Sequence, residues 1–250
     1  ESEHKRYRPA FQALLRLDRA LADRGVELLL VPVPDRIHLY VDQIHQRAAE
    51  GPPSYIAHTR LVESLVNHGA LAVDVAPLMR HRRHTGHAVY WKTAYGVPSY
   101  TLAEIAQYVA PMMQDVSGSG VTLILSKEPM PLAGRAVPGL DPTLQESVTL
   151  EENELLYVIH DESGNAYQPL SEAPILVVGS LATIDADANV GASFAAQLAY
   201  ALGTDTAVLS ESLSDHEVPT YLIEKTTPAL EKARVVVFCF PEYALVTPGW

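Results

Sequence analysis

Ser180 follows the apolar run Ile175-Leu-Val-Val-Gly179 and precedes a stretch, Gly191 to Gly203, whose apolar residues recur at helical spacing. A serine that a short β-branched strand delivers to the edge of an α/β sheet is a candidate nucleophile, because such sheets place chemistry beyond the carboxyl ends of their strands. A hydroxyl attacks only when a base takes its proton, and His81, His84 and His87 offer imidazoles within one polar segment. His84 and His87 are therefore the candidate bases for Ser180. A strand-end serine also commonly bonds the local backbone, and with no histidine beside it that reading is preferred.

The other chemistry-bearing groups divide in the same way. The three histidines lack the spacing of a helical metal-binding pair and have no cysteine or acidic cluster beside them, so no metal is expected there. Arg80, Arg82 and Arg83 make the segment a basic, solvated loop, with Arg82 and Arg83 as candidate contacts for an anionic saccharide. Tyr90 and Trp91, near Tyr95 and Tyr100, are candidates to stack on sugar rings or to pack the core. Asp185 and Asp187 alternate as in a calcium loop but lack its glycine and terminal glutamate, and they are read as loop residues. Asp215 and His216 lie in Ser-Asp-His-Glu217, which reads as a helix start with Ser or Asp as cap. Cys239, inside a Val/Phe run, is a small buried hydrophobe.

The elements that must position these residues follow a βα rhythm. Phe11 to Ala22 predicts a helix ended by Gly25, and Val26 to Pro34 predicts a buried strand. Helix 54–68, strand 71–75, a polar loop from Arg80 to His87 and helix 100–113 come next. Asp115 to Gly120 reads as a flexible turn. Residues 115–172 read as a β-rich insertion, with a strand at 155–159 and a hairpin turn at Asp161-Glu-Ser-Gly164. The rhythm resumes with strand 175–179, helix 192–202, strand 206–210, helix 218–232 and strand 234–240. One α/β domain over 1–250 is expected, with a mostly parallel sheet of about five strands and helices on both faces.

Composition narrows the partners. The formal charge of −12 disfavours nucleic acid and anionic membrane surfaces, which need a concentrated positive face. No apolar run approaches the roughly 20 residues of a membrane span. A single cysteine cannot form an internal disulfide and leaves the compartment open. Glu1 opens the chain without a signal-like segment, as in a trimmed or mature form.

Five pieces in order carry a family resemblance: Leu29 to Pro34, Trp91 after a loop, Val177-Val-Gly-Ser180, Ala192 to Gly203, and Val235 to Tyr243. Together they resemble the SGNH-hydrolase-like domain of the alginate O-acetyltransferases of AlgJ/AlgX type. The resemblance implies a flavodoxin-like sheet and acetyl transfer to an exopolysaccharide in the periplasm, with no cofactor. It also implies a Gly-Asp-Ser nucleophile motif and an Asp-x-His-Trp motif for the acid and base. Anchored on Trp91, the second motif puts Ala88 at the Asp position and Tyr90 at the His position. Anchored on Gly179, the first puts Ser180 at the Asp position and Leu181 at the nucleophile position. All three catalytic positions are altered, so the expectation is a degraded domain that binds a polysaccharide or polysaccharide-modifying proteins. The alternative is an active acetyltransferase or esterase using Ser180 with a histidine from the 81–87 segment.

Overall fold

The computed structural model describes residues 2–40, 56–90, 97–116, 120–129, 155–180, 190–209, 213–246 and 248–250. Helix α1 (Ser2–Ala22) leads through Gly25 into strand β1 (Glu27–Val33). There follow α2 (Arg36–Leu39), α3 (Ile56–Asn67), β2 (Leu71–Ala72), α4 (Ala76–His84) and α5 (Ser99–Val109), the last continuing as a 3-10 turn to Val116. Strands β3 (Ile124–Pro129) and β4 (Leu155–His160) precede β5 (Ile175–Val178), α6 (Phe194–Leu202) and β6 (Thr206–Val208). Short helices α7 (Val218–Glu224) and α8 (Pro228–Lys232) lead to β7 (Val235–Pro241) and a closing 3-10 turn, Glu242–Val246.

Five strands form one sheet in the order β2-β1-β7-β5-β6, and every pairing is parallel. The last strand therefore lies in the middle, with Val33 of β1 opposite Pro241 and Val178 of β5 opposite Phe238. All seven residues of β7 are buried, as a strand covered on both faces must be. Alternation splits its side chains between two cores. Val235, Val237 and Cys239 pack with Leu29, Val31 and residues of α5 and α6. Val236, Phe238 and Phe240 pack on the other face with Leu14, Leu17 and Leu21 of α1 and with Leu222 of α7. The sheet and its two helical layers thus match the expected α/β architecture.

Several elements differ from their sequence reading. The segment expected as a polar loop from Arg80 is helical to His84, because Leu78 and Met79 supply an apolar side that packs into the first core. Strand 71–75 contracts to two residues at the sheet edge. The expected helix 218–232 breaks in two: Pro228 cannot continue the hydrogen-bond ladder, and Thr227 caps the new start by accepting from Leu230 N. Helix 192–202 starts at Phe194, where Ser193 Oγ accepts from Ala196 N. The turn at 161–164 is present, with Asp161 Oδ1 accepting from Ser163 N and Asn165 N.

Strands β3 and β4 form a separate antiparallel ribbon. It is tied to the main layer where Tyr157 N donates to Ser99 Oγ of α5 and Gln197 Nε2 of α6 donates to Tyr157 O. No helix among the described residues is long and apolar enough to cross a membrane.

One glycine sets how closely the strands approach. Gly179 has φ +98, and a Cβ there would stand 2.3 Å from the Cys239 carbonyl oxygen of β7 and 2.9 Å from the Phe238 ring. A methyl group at this point must push β5 away from the central strand. Gly179→Ala is expected to lose at least about 3 kcal/mol, roughly 6 °C or more in Tm. Gly203→Ala, at a helix end with nothing within 4 Å, should cost only about 1 kcal/mol. Thermal melts of the two variants check this, and equal losses would refute the close-approach argument.

Candidate functional site

A parallel sheet brings the carboxyl ends of all its strands to one edge. Here β1 exits through Pro34 and Asp35, and β7 exits through Glu242. Asp35 Oδ1 accepts from Tyr243 N at 3.1 Å, locking the two exits together. On α2, His38 Nδ1 lies 2.9 Å from Glu242 Oε2. His58 reaches in from α3 and is fully buried, with Nδ1 3.4 Å from Glu242 Oε2 and Nε2 3.4 Å from Asp74 Oδ1. Asp74, just past β2, is held by Thr59 Oγ1 at 2.8 Å and by Ala76 N at 2.9 Å.

Burial would raise the Glu242 carboxyl, but its contacts with His38 and His58 outweigh burial and hold it down to about 2. Its hydrogen bond to His38 raises that imidazole above its ordinary value of 6.5. His58 is lowered by burial, yet the Asp74 and Glu242 carboxylates override this and leave it raised. Asp35 is raised, first by burial and then by the neighbouring Glu242 charge. Three carboxylates and two imidazoles therefore share one polar knot under the sheet edge.

Beside it, Ser180 leaves β5. Its N–H and its hydroxyl both donate to Asp215, at 2.7 Å each. Asp215 is buried, and burial raises its carboxyl despite the two bonds. The expected cap role for Asp215 is thus overturned: it turns inward to Ser180. The turn before α7 is instead held by Ser214, whose N–H and hydroxyl donate to Glu217 Oε2. The structure brings Ser180 to a carboxylate, while His84 places Nδ1 against Arg80 O of its own helix and His87 is exposed.

Tyr90 is buried, and its hydroxyl donates to Pro34 O at 2.5 Å. Burial, reinforced by the Asp35 and Glu242 charges, pushes it well above the ordinary tyrosine range. It can neither take a proton at neutral pH nor offer a face to a sugar, which corrects its reading as a stacking platform. Ala88 and Val89 are pinned by two further tyrosines: Tyr100 OH donates to Ala88 O, and Val89 N donates to Tyr40 OH at 3.2 Å.

The basic segment forms a rim. Arg83 donates to Leu39 O and lies over the Tyr40 ring at 4.7 Å. Arg82 pairs with Glu104 and lies 5.7 Å from the Tyr100 ring. Tyr100 meets Tyr157 edge-on at 6.2 Å, and Lys127 Nζ is 5.1 Å from the Tyr157 ring. Leu181, Trp91, Tyr95, Asp185 and Asp187 lie outside the described residues.

Sequence reasoning missed Asp35, His38, His58, Asp74 and Glu242, because apart from the neighbours Asp35 and His38 they come from segments far apart in the chain. The available signal was a carboxylate placed just after each of two apolar strands, at Val-Pro-Asp35 and at Phe-Pro-Glu242.

The family model of the SGNH hydrolase-like domain, acetyltransferase AlgX, matches residues 1–125. The chain belongs to this family. No curated protein sequence matches it. Among solved structures it is similar to the O-acetyltransferase domain of Pseudomonas putida AlgJ, with a TM-score of 0.74 and 19% identity over 99% of this chain and 86% of that one. It also resembles Pseudomonas aeruginosa AlgX (TM-score 0.62, 14% identity, 95% of this chain and 56% of that one). A third similar structure is Bacillus cereus PatB1 (TM-score 0.56, 10% identity, 97% and 91%). At these identities the likeness is one of fold.

The knot predicts a stability profile. Glu242, depressed from 4.5, contributes stability that is present above about pH 4.5 and lost as pH falls toward 2. The raised Asp35 acts in the opposite sense and makes that acid limb shallower. His38 and His58, raised from 6.5, contribute stability that is present below about pH 6.5 and lost as pH rises through their folded values. Urea midpoints, measured with a chelator so that only protons titrate the cluster, should form a plateau between these limits. Glu242→Gln should lower the plateau by about 3 kcal/mol and flatten both limbs. An unchanged profile in that variant would refute the coupling.

Proposed function

We propose that this chain is a catalytically silent member of its O-acetyltransferase family. It acts outside the cytoplasm, binding a polysaccharide or an enzyme that modifies one. The observation that carries this reading is Tyr90. Where the family pattern calls for a general base, a buried phenol spends its proton on the Pro34 carbonyl. The state of Ser180 supports it. Its hydroxyl is bonded to Asp215 rather than to an imidazole, and the conjugate acid of a carboxylate is far too strong for that group to deprotonate an alcohol efficiently. The family relationship supports the polysaccharide link and the extracytoplasmic setting.

The surface we assign to the saccharide is the rim of Tyr40, Arg83, Arg82, Tyr100, Tyr157 and Lys127. Alternating cations and aromatic faces suit an anionic sugar chain: the rings stack on pyranose faces and the cations meet carboxylates. In a chain of net charge −12 such a cluster also concentrates the available positive charge.

Two measurements test the proposal. Incubation with p-nitrophenyl acetate should give no burst and no acetyl adduct by intact mass. An adduct that disappears in Ser180→Ala would overturn the silent reading and make Ser180 the nucleophile. Binding to a polyuronate, followed by calorimetry, should weaken at least tenfold in Arg83→Ala combined with Lys127→Ala and fall further as salt rises. Binding that the double variant retains in full would remove the rim from the proposal.

A further inference from the structure

We propose that Asp35, His38 and Glu242 hold one divalent transition-metal ion of zinc-like preference at the exits of β1 and β7, with His58 positioning Glu242 from behind. The inference stands apart from the acyl-transfer question, because none of these residues occupies a position of the family's catalytic motifs.

One ligand atom from each of Asp35, His38 and Glu242 lies within 4.8 Å of the others. The tightest edge, His38 Nδ1 to Glu242 Oε2, is 2.9 Å. Ligands about 2.0–2.1 Å from a tetrahedral zinc stand roughly 3.4 Å apart, so the three groups need only a small side-chain adjustment to close on an ion. The backbone already holds two of them in register, since Tyr243 N bonds Asp35 Oδ1 across the two strand exits.

One buried atom points to a missing partner. Glu242 is 1% exposed, yet its Oε1 atom has no hydrogen-bond partner among the described residues. His58 is fully buried and stands between two carboxylates, with Nε2 3.4 Å from Asp74 Oδ1 and Nδ1 3.4 Å from Glu242 Oε2. Buried polar atoms are seldom left unsatisfied, and a cation at Glu242 supplies what Oε1 lacks. The chain Asp74–His58–Glu242 then has the form of an outer shell: a carboxylate orients an imidazole, which in turn orients a ligand.

The donor set selects the ion. An imidazole nitrogen alongside two carboxylates disfavours calcium and magnesium, which take oxygen ligands, and the absence of a thiolate from the set disfavours copper(I). Charge balances, since two ligand carboxylates neutralise a divalent ion and His38 binds it as neutral imidazole. The proton shared between His38 and Glu242 leaves to solvent as the metal enters. Access is open on the His38 side, where that side chain is 24% exposed.

Protein stripped with a chelator and titrated with zinc chloride should bind one ion per chain by calorimetry and by elemental analysis. Asp35→Asn and His38→Ala should each weaken binding at least tenfold, with circular dichroism unchanged. A triple alanine variant of His81, His84 and His87 should bind as the parent does. With Co2+ as the probe, His58→Gln should shift the visible d–d bands, a change that loss of packing alone would not produce. Absence of saturable binding, binding that survives both Asp35→Asn and His38→Ala, or binding lost in the triple variant would each overturn the proposal.

Discussion

The ladder between β1 and β7 is the interaction on which the rest of the molecule depends. It runs for seven residues, from Glu27 opposite Val235 to Val33 opposite Pro241, and both strands lie almost wholly inside the protein. A strand covered on both faces has no place for polar side chains along its length. They collect instead where the strand ends, and in an all-parallel sheet every strand ends on the same side. The knot of Asp35, His38, His58, Asp74 and Glu242, and the Ser180–Asp215 pair beside it, are both products of that constraint.

The same edge is closed by three tyrosines. Tyr90 closes onto the Pro34 carbonyl, Tyr100 onto the Ala88 carbonyl, and Tyr40 accepts from Val89 N. A phenol suits this task because it combines a large apolar body with one hydrogen-bonding tip. Residues 88–90 are thereby bonded at three successive positions.

The sheet was legible in the sequence because its strands are short β-branched runs bounded by Gly and Pro, and the helices between them are strongly periodic. Element ends were less legible. The break at Pro228 was written in Lys-Thr-Thr-Pro, whereas the helical character of 80–84 was hidden by an unbroken run of five charged or imidazole side chains. The site was the least legible part. Ser180 could be placed at a strand end from its neighbours alone, but Asp215 lies 35 residues away and meets it only through the fold. His58 in its helix looked like any polar residue, and only the packed structure shows that it is sealed between two carboxylates.

The position of β7 has a bearing on how the chain is made. Glu27 finds its partner, Val235, only after most of the chain has emerged, and β5 waits for the same strand from the other side. Until then two apolar strand edges stand open, each a template for pairing with the wrong chain. Contacts this distant in sequence also close slowly, since the loop entropy must be lost before the ladder rewards it. Until Val235–Pro241 is in place the sheet lacks its central strand, and the edges of β1 and β5 that it will cover are open to mispairing.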